Sequence, residues 1–179
     1  MNILKKPTIV NTTTTQTYLN LVTTTMYRAI VQSGACPAES SSPATITVIP
    51  NSAGGTVAPA AATVCAPTNS GVLTLSGQIG SVIRWEYSTD GGFTWIPISN
   101  TTTTHTYNNL TVTTRFRAVV QNGTCATANS AQSIITVTPA SVGGSVASNA
   151  TVCAGSNSGT LTLSGHTGSV IRWQFSTDG

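Results

Sequence analysis

The chain of 179 residues offers few side chains able to do acid–base or metal chemistry: four acids, two histidines and four cysteines. The acids are Glu39, Glu86, Asp90 and Asp178. Glycoside hydrolysis asks for two carboxylates about 5–10 Å apart. The chain repeats much of its own sequence, which tests these residues from within. Asp178 is the repeat of Asp90, and Glu39 belongs to a different repeat from Glu86 and Asp90. Glu86 is answered by Gln174, His105 by Gln16, His166 by Gln78 and Arg115 by Met26. A catalytic acid or a metal ligand should survive in both copies. Both histidines are therefore expected at surface positions. Glu86 is expected beside Arg117 on an outer face, an exposed ion pair worth ~0–1 kcal/mol. Cys36, Cys65, Cys125 and Cys153 form no C-x-x-C, and neither histidine lies near a cysteine pair, so zinc is not expected. The reading is no enzyme, no catalytic residue, no metal and no cofactor.

One motif speaks against that reading. Ser88-x-Asp90-x-Gly92-x-x-Trp95 resembles the Asp box of sialidase propellers, which would imply a glycosidase. Asp boxes are folding units, however, and a propeller needs several blades at a period of ~40–50 residues. The expected role is a stabilised hairpin turn with Trp95 packed over it. Asp accepts hydrogen bonds within its own turn, and Gly91 and Gly92 tolerate positive φ.

The elements that must position these residues follow from alternation. In residues 81–95, SVIRWEYSTDGGFTW, Ile83, Trp85 and Tyr87 fall on one side and Val82, Arg84 and Glu86 on the other. A period of two marks a strand with one buried face. Trp85 and its repeat Trp173 are expected in the core rather than stacked on sugars. Residues 93–98 return as the second arm of the hairpin.

The same stretch recurs at 169–179 as SVIRWQFSTDG. NTTTTQTYLNL at 11–21 answers NTTTTHTYNNL at 100–110, and YRAIVQSGAC answers FRAVVQNGTC. TVCAPTNSGVLTLSG answers TVCAGSNSGTLTLSG. Cys125 − Cys36 = 89 and Cys153 − Cys65 = 88, so the period is close to 88 residues. Three segments result: 1–50, the C-terminal part of one repeat; 53–139, a complete repeat; and 140–179, the N-terminal part of a third. The complete repeat is expected to hold seven strands, at 55–64, 72–77, 82–89, 94–99, 104–108, 115–121 and 134–138. Leu73, Leu75, Phe116, Ala118, Val120, Ile135 and Val137 point inward. The NTTTT runs are expected as loops leading into a strand.

Composition agrees with an all-β fold. Thr and Val are abundant and β-branched, and no stretch sustains a helical period. Only 6% of residues are charged and the net charge is +3, too little and too scattered for a nucleic-acid interface. No segment is apolar enough to span a membrane. Residues 1–10 lack the apolar run of a signal peptide. Since disulfides imply an oxidising compartment, the chain is expected to be a fragment whose signal lies upstream.

Seven short strands with turns every eight to twelve residues fit an immunoglobulin-like or fibronectin III-like antiparallel β-sandwich. Tyr107-x-x-Leu110-x-x-x-Thr114-x-Phe116-x-Ala118 resembles the tyrosine-corner region of such sandwiches. Tyr27 stands where the second copy has Phe116, so the ring is expected to matter there and not the hydroxyl. The phrases TVCAGSNSGTLTLSG, SVIRWEYSTDGGFTW, NTTTTHTYNNL and FRAVVQNGTC resemble the tandem immunoglobulin-like repeats of very large Bacteroidota surface adhesins. The resemblance covers all but the first ten residues. It implies export to the cell surface, by a type IX-like route, and a role as stalk or spacer. A carbohydrate-binding module is the rival. Partners would be neighbouring repeats and surface glycans, with head-to-tail association of the truncated ends.

In such a sandwich the first strand begins, and the sixth ends, at the same pole. Cys65 and Cys125 are therefore expected to form a disulfide. Cys36 and Cys153 are expected to be unpaired.

Overall fold

The computed structural model describes residues 8–147 and 149–177; Asp178 lies outside them. The described residues are strands, turns and loops, with no helix among them. None of them therefore forms a helix long and apolar enough to cross a membrane. The chain divides into two units, Met1–Pro50 and Asn51–Gly179.

The first unit has four short strands: β1 (Thr25–Tyr27), β2 (Ile30–Val31), β3 (Glu39–Ser40) and β4 (Ala44–Ile46). β1 pairs antiparallel with β4, and β2 with β3. Two ribbons this small cannot enclose a core. Leu19, Ile30 and Val31 are accordingly exposed.

The second unit begins with the complete repeat. Its strands are β5 (Thr56–Ala58), β6 (Ala61–Cys65), β7 (Ser70–Ser76), β8 (Ser81–Ser88), β9 (Ile96–Ile98), β10 (Thr104–Asn108), β11 (Thr114–Gln121), β12 (Ala128–Asn129) and β13 (Ser133–Thr138). One sheet has the order β10-β7-β5. The other has the order β6-β13-β11-β8-β9, with β12 also pairing β11. The two sheets share one core. Val57, Leu73, Leu75 and Tyr107 come from the first; Val82, Trp85, Phe116, Ala118, Val120 and Ile135 come from the second. Leu110 packs against its edge. Trp85, Leu73 and Ile135 are fully buried, each contributing about 1.5–3 kcal/mol or more of apolar burial.

Three details depart from the sequence reading. The expected first strand is two. Pro59, which has no N–H to give a ladder, ends β5, and β6 crosses to the other sheet to pair parallel with β13. β12 was not expected at all. The third departure is a bulge. The β8–β11 register steps from Val119↔Arg84 to Val120↔Val82. This leaves Ile83 as the extra residue and reverses the alternation before it. Val82, expected outward, is therefore in the core, and Ile83 is only partly buried.

The remaining strands are β14 (Ser145–Ala147) and β15 (Thr162–Ser164), which pair antiparallel. We call residues 142–177 the head and 11–50 the tail. Both keep the registers of the complete repeat. Val146↔Leu163 repeats Val57↔Leu75, and the bridge Val142↔Thr167 repeats Ala53↔Ile79. In the tail, Tyr27↔Ala44 repeats Phe116↔Ser133, and Val31↔Glu39 repeats Val120↔Ala128. Trp173, expected in a core like Trp85, is 53% exposed. Unlike Trp85 in β8, it lies outside any strand, since β15 ends at Ser164 and residues 169–176 are irregular.

Candidate functional site

The polar residues of the complete repeat gather at the β8–β9 hairpin and the outer face beside it. Ser88, buried at the end of β8, donates its hydroxyl to Asp90 Oδ1 at 2.7 Å and accepts from the Gly92 N–H at 2.8 Å. Asp90 Oδ1 also accepts from the Phe93 N–H at 3.1 Å, and Oδ2 from the Thr94 N–H at 2.9 Å. Gly91 and Gly92 have φ of 82° and 95°, the left-handed region that side chains disfavour. Trp95 closes the turn by donating Nε1–H to the Gly92 carbonyl at 2.9 Å. The Thr94 N–H, then the Ser88 hydroxyl, hold the Asp90 carboxyl well below the usual range. A carboxylate so engaged is poorly placed to donate a proton. Ser88, Asp90, Gly92 and Trp95 thus form the expected turn.

Glu86 differs from its expectation. It is 5% exposed, not on an open surface. Arg84 Nε meets its Oε1 at 2.7 Å and Arg117 Nε its Oε2 at 2.7 Å. The Arg117 guanidinium lies 4.0 Å above the Trp95 ring, so the turn and the ion triad are one structure. Burial alone would raise the Glu86 pKa. The hydrogen bonds and charges of Arg117 and Arg84 outweigh it and leave the pKa lowered. The expectation counted one arginine beside Glu86, whereas Arg84 and Arg117 both close on its carboxylate.

His105 is also misplaced by the sequence reading. It is half-buried, with its ring 5.5 Å from Trp85 and 5.4 Å from Phe116. Desolvation lowers its pKa, which favours the neutral ring. His166 is exposed, as expected.

The cysteines overturn the predicted bridge. No disulfide joins Cys65 and Cys125. Cys65 ends β6, beside Thr138 at the end of β13. That is the pole where β11 begins, since Thr114 pairs Ile135. Cys125 follows the end of β11, in a turn where its N–H donates to the Asn122 carbonyl. The eight residues of β11 separate the two by about 25 Å at ~3.3 Å per residue, far beyond disulfide reach. The error was to assign Cys65 to the pole where the first strand begins, although Cys65 ends β6. Cys36 and Cys153 are exposed thiols. Among the described residues no three His, Cys, Asp or Glu side chains are grouped to hold a metal.

Two asparagines escaped notice. Asn69 donates to the carbonyls of Cys65 and Leu110 and accepts from the Leu110 N–H, tying the start of β7 to the β10–β11 loop. Asn100 Oδ1 accepts from the Thr102 N–H and hydroxyl, folding the NTTTT run into a turn. Asn11 does the same with Thr13. The signal was present in the sequence, since NSG and NTTTT both recur. A concavity of about 410 Å³ lies in the head against Leu161, Trp173 and Phe175.

No curated protein matches the chain. The family described as a domain of unknown function, DUF8696, matches three times, at residues 3–50, 53–139 and 142–179. These are, within a few residues, the three segments that internal repetition delimits, and together they cover nearly the whole chain, which therefore belongs to that family.

Proposed function

We propose that this chain is a structural spacer made of tandem immunoglobulin-like or fibronectin III-like β-sandwich repeats, part of a secreted bacterial surface adhesin. The observation that carries the reading is the common register. Residue pairs of the complete repeat recur in the head and in the tail, and a family match begins afresh at each segment. A stalk needs that design, with each repeat an autonomous unit joined by a short connector such as residues 139–142. The polar residues support the same reading. Asp90 is spent on its turn and Glu86 on two arginines, which leaves neither poised for acid–base work. The adhesin setting rests on the sequence resemblance, and export to the cell surface goes with it.

Pulling single chains tests the mechanical role. Residues 53–139 should unfold in one event that releases roughly 25–30 nm of chain, at ~3.3–3.6 Å per residue. A glycan array probed with the full chain tests the rival. A spacer gives no saturable binding. Saturable binding lost in Arg117→Ala would favour a carbohydrate module on the Arg117–Trp95 face.

A further inference from the structure

We propose that the parallel pairing of β6 with β13 is the load-bearing lock of the complete repeat, fastened at both ends by the hydroxyls of Ser133 and Thr138. The proposal rests on the spacer reading, because it assigns residues to a load that a stalk must carry.

The path of the load follows from the fold. The chain enters the complete repeat beside Ser52, whose Oγ accepts from the Asn122 N–H just past the end of β11. It leaves at Thr138, near the start of β11. Entry and exit therefore lie at opposite poles. The Gly55 carbonyl accepts from the Ala131 N–H, the Ala60 carbonyl from the Ile134 N–H, and Cys65 pairs Thr138. Residues 55–65 thus advance beside 131–138 toward the exit pole.

Pulling the two connections apart drags β6 toward one pole and β13 toward the other. The loaded ends sit at opposite ends of the ladder, so its five residue pairs, from Ala61↔Ile134 to Cys65↔Thr138, are strained together. Hydrogen bonds between parallel strands are evenly spaced, which shares the load among them. An antiparallel pair loaded at one pole would open one bond at a time. β5 holds to β7 over only three pairs, so the longer ladder sets the resistance.

Side chains reinforce that ladder at each end. Ser133, fully buried, donates its hydroxyl to the Pro59 carbonyl at 2.6 Å, where the chain crosses from β5 to β6. A hydrogen bond shielded from water is the stronger for it. Thr138 Oγ1 donates to the Val64 carbonyl at 3.2 Å, and the Thr138 carbonyl accepts from the Ala66 N–H at 2.9 Å. The tail has Ala44 and Ile49 at the matching positions, so the repeat pattern itself does not demand these hydroxyls. The Glu86 ion triad lies off the path. It ties β8 to β11, and neither strand carries an end of the load.

Force spectroscopy on the full chain, held by its two ends, tests the lock when read against urea melts of the same proteins. Ser133→Ala combined with Thr138→Val removes both hydroxyls. Thr138→Val alone is the milder variant, should the pair fail to fold. Glu86→Gln is the control, since it weakens the fold away from the lock. Forced unfolding is governed by the unfolding rate. At a fixed force the double variant should unfold about tenfold faster than the parent and Thr138→Val about threefold faster. Glu86→Gln should stay within about twofold although its urea midpoint falls. A parent that gives no discrete event for residues 53–139 defeats the spacer reading and the lock together. A parent that gives the event, with a rate unchanged by the hydroxyl variants or raised as much by Glu86→Gln, overturns the lock alone.

Discussion

The indole Nε1 of Trp85 donates a hydrogen bond to the Thr102 carbonyl at 2.9 Å. The carbonyl is held in place because Asn100 folds the Thr run into a turn, its amide reaching the Thr104 carbonyl and its Oδ1 taking the Thr102 N–H. A polar, low-complexity stretch thereby satisfies the one polar atom of the largest core side chain. Without that partner a buried N–H would cost ~1–3 kcal/mol.

Replacing Trp85 should therefore be severe, and replacing its repeat should not. Trp85→Ala is expected to cost about 3–5 kcal/mol in denaturant melts, the usual range for a buried aromatic. Trp173→Ala in dilute, monomeric protein should stay within about 0.5 kcal/mol. Equal costs would mean that Trp173 already has a core around it.

Glu86→Gln should be more costly than an exposed ion pair would allow. An amide keeps the shape but loses the charge that faces two guanidinium groups, and charge-assisted hydrogen bonds are worth ~1.5–3 kcal/mol. Arg84 is partly exposed, which reduces its share, so a loss of about 1–2 kcal/mol is expected. The Glu86 pKa is lowered in the fold. Its contribution is therefore present above the unfolded value, near 4.3, and is lost as pH falls through the folded value. Urea melts from pH 7 to pH 3 should show a decline that is shallower in Glu86→Gln.

His105 sets a second pH dependence at higher pH. Desolvation lowers its pKa below 6.5, so the unfolded chain binds the proton more readily. Stability is full above about pH 6.5 and falls as pH drops toward the folded value. His105→Gln, the residue found at Gln16, should flatten that segment while leaving stability at pH 8 within about 1 kcal/mol. In the tail Gln16 Oε1 accepts from Asn11 at 2.9 Å, where His105 lies beside Asn100. An unchanged pH profile in the variant would remove His105 as its source.

Peptide mapping of oxidised protein under non-reducing conditions should yield no Cys65–Cys125 linked peptide, because β11 lies between them. Recovery of that peptide from a monomer would contradict the placement of β6 beside β13.

The repeat period, the all-β class, the segment boundaries and most inward positions were legible in the sequence. They depend on local chemistry: β-branched residues, two-residue alternation and turn glycines, all visible within a few residues of chain. Phe116, Ala118 and Val120 alternate as expected because nothing interrupts β11 on that face. Ser88, Asp90, Gly92 and Trp95 were readable because a turn closes on itself.

What the sequence left undecided depends on which strands become neighbours. The Ile83 bulge arises from the fit of β8 to β11, and it alone puts Val82 inside. Pro59 marks a break, but only the pairing of β6 with β13 sends Cys65 to the pole away from Cys125. Glu86 reads as a surface charge until Arg117 from β11 closes on its carboxylate together with Arg84. Trp85 and Trp173 lie in nearly the same local sequence and differ in burial by half a side chain. Burial of Trp85 belongs to the second sheet that covers β8, whereas Trp173 lies outside any strand.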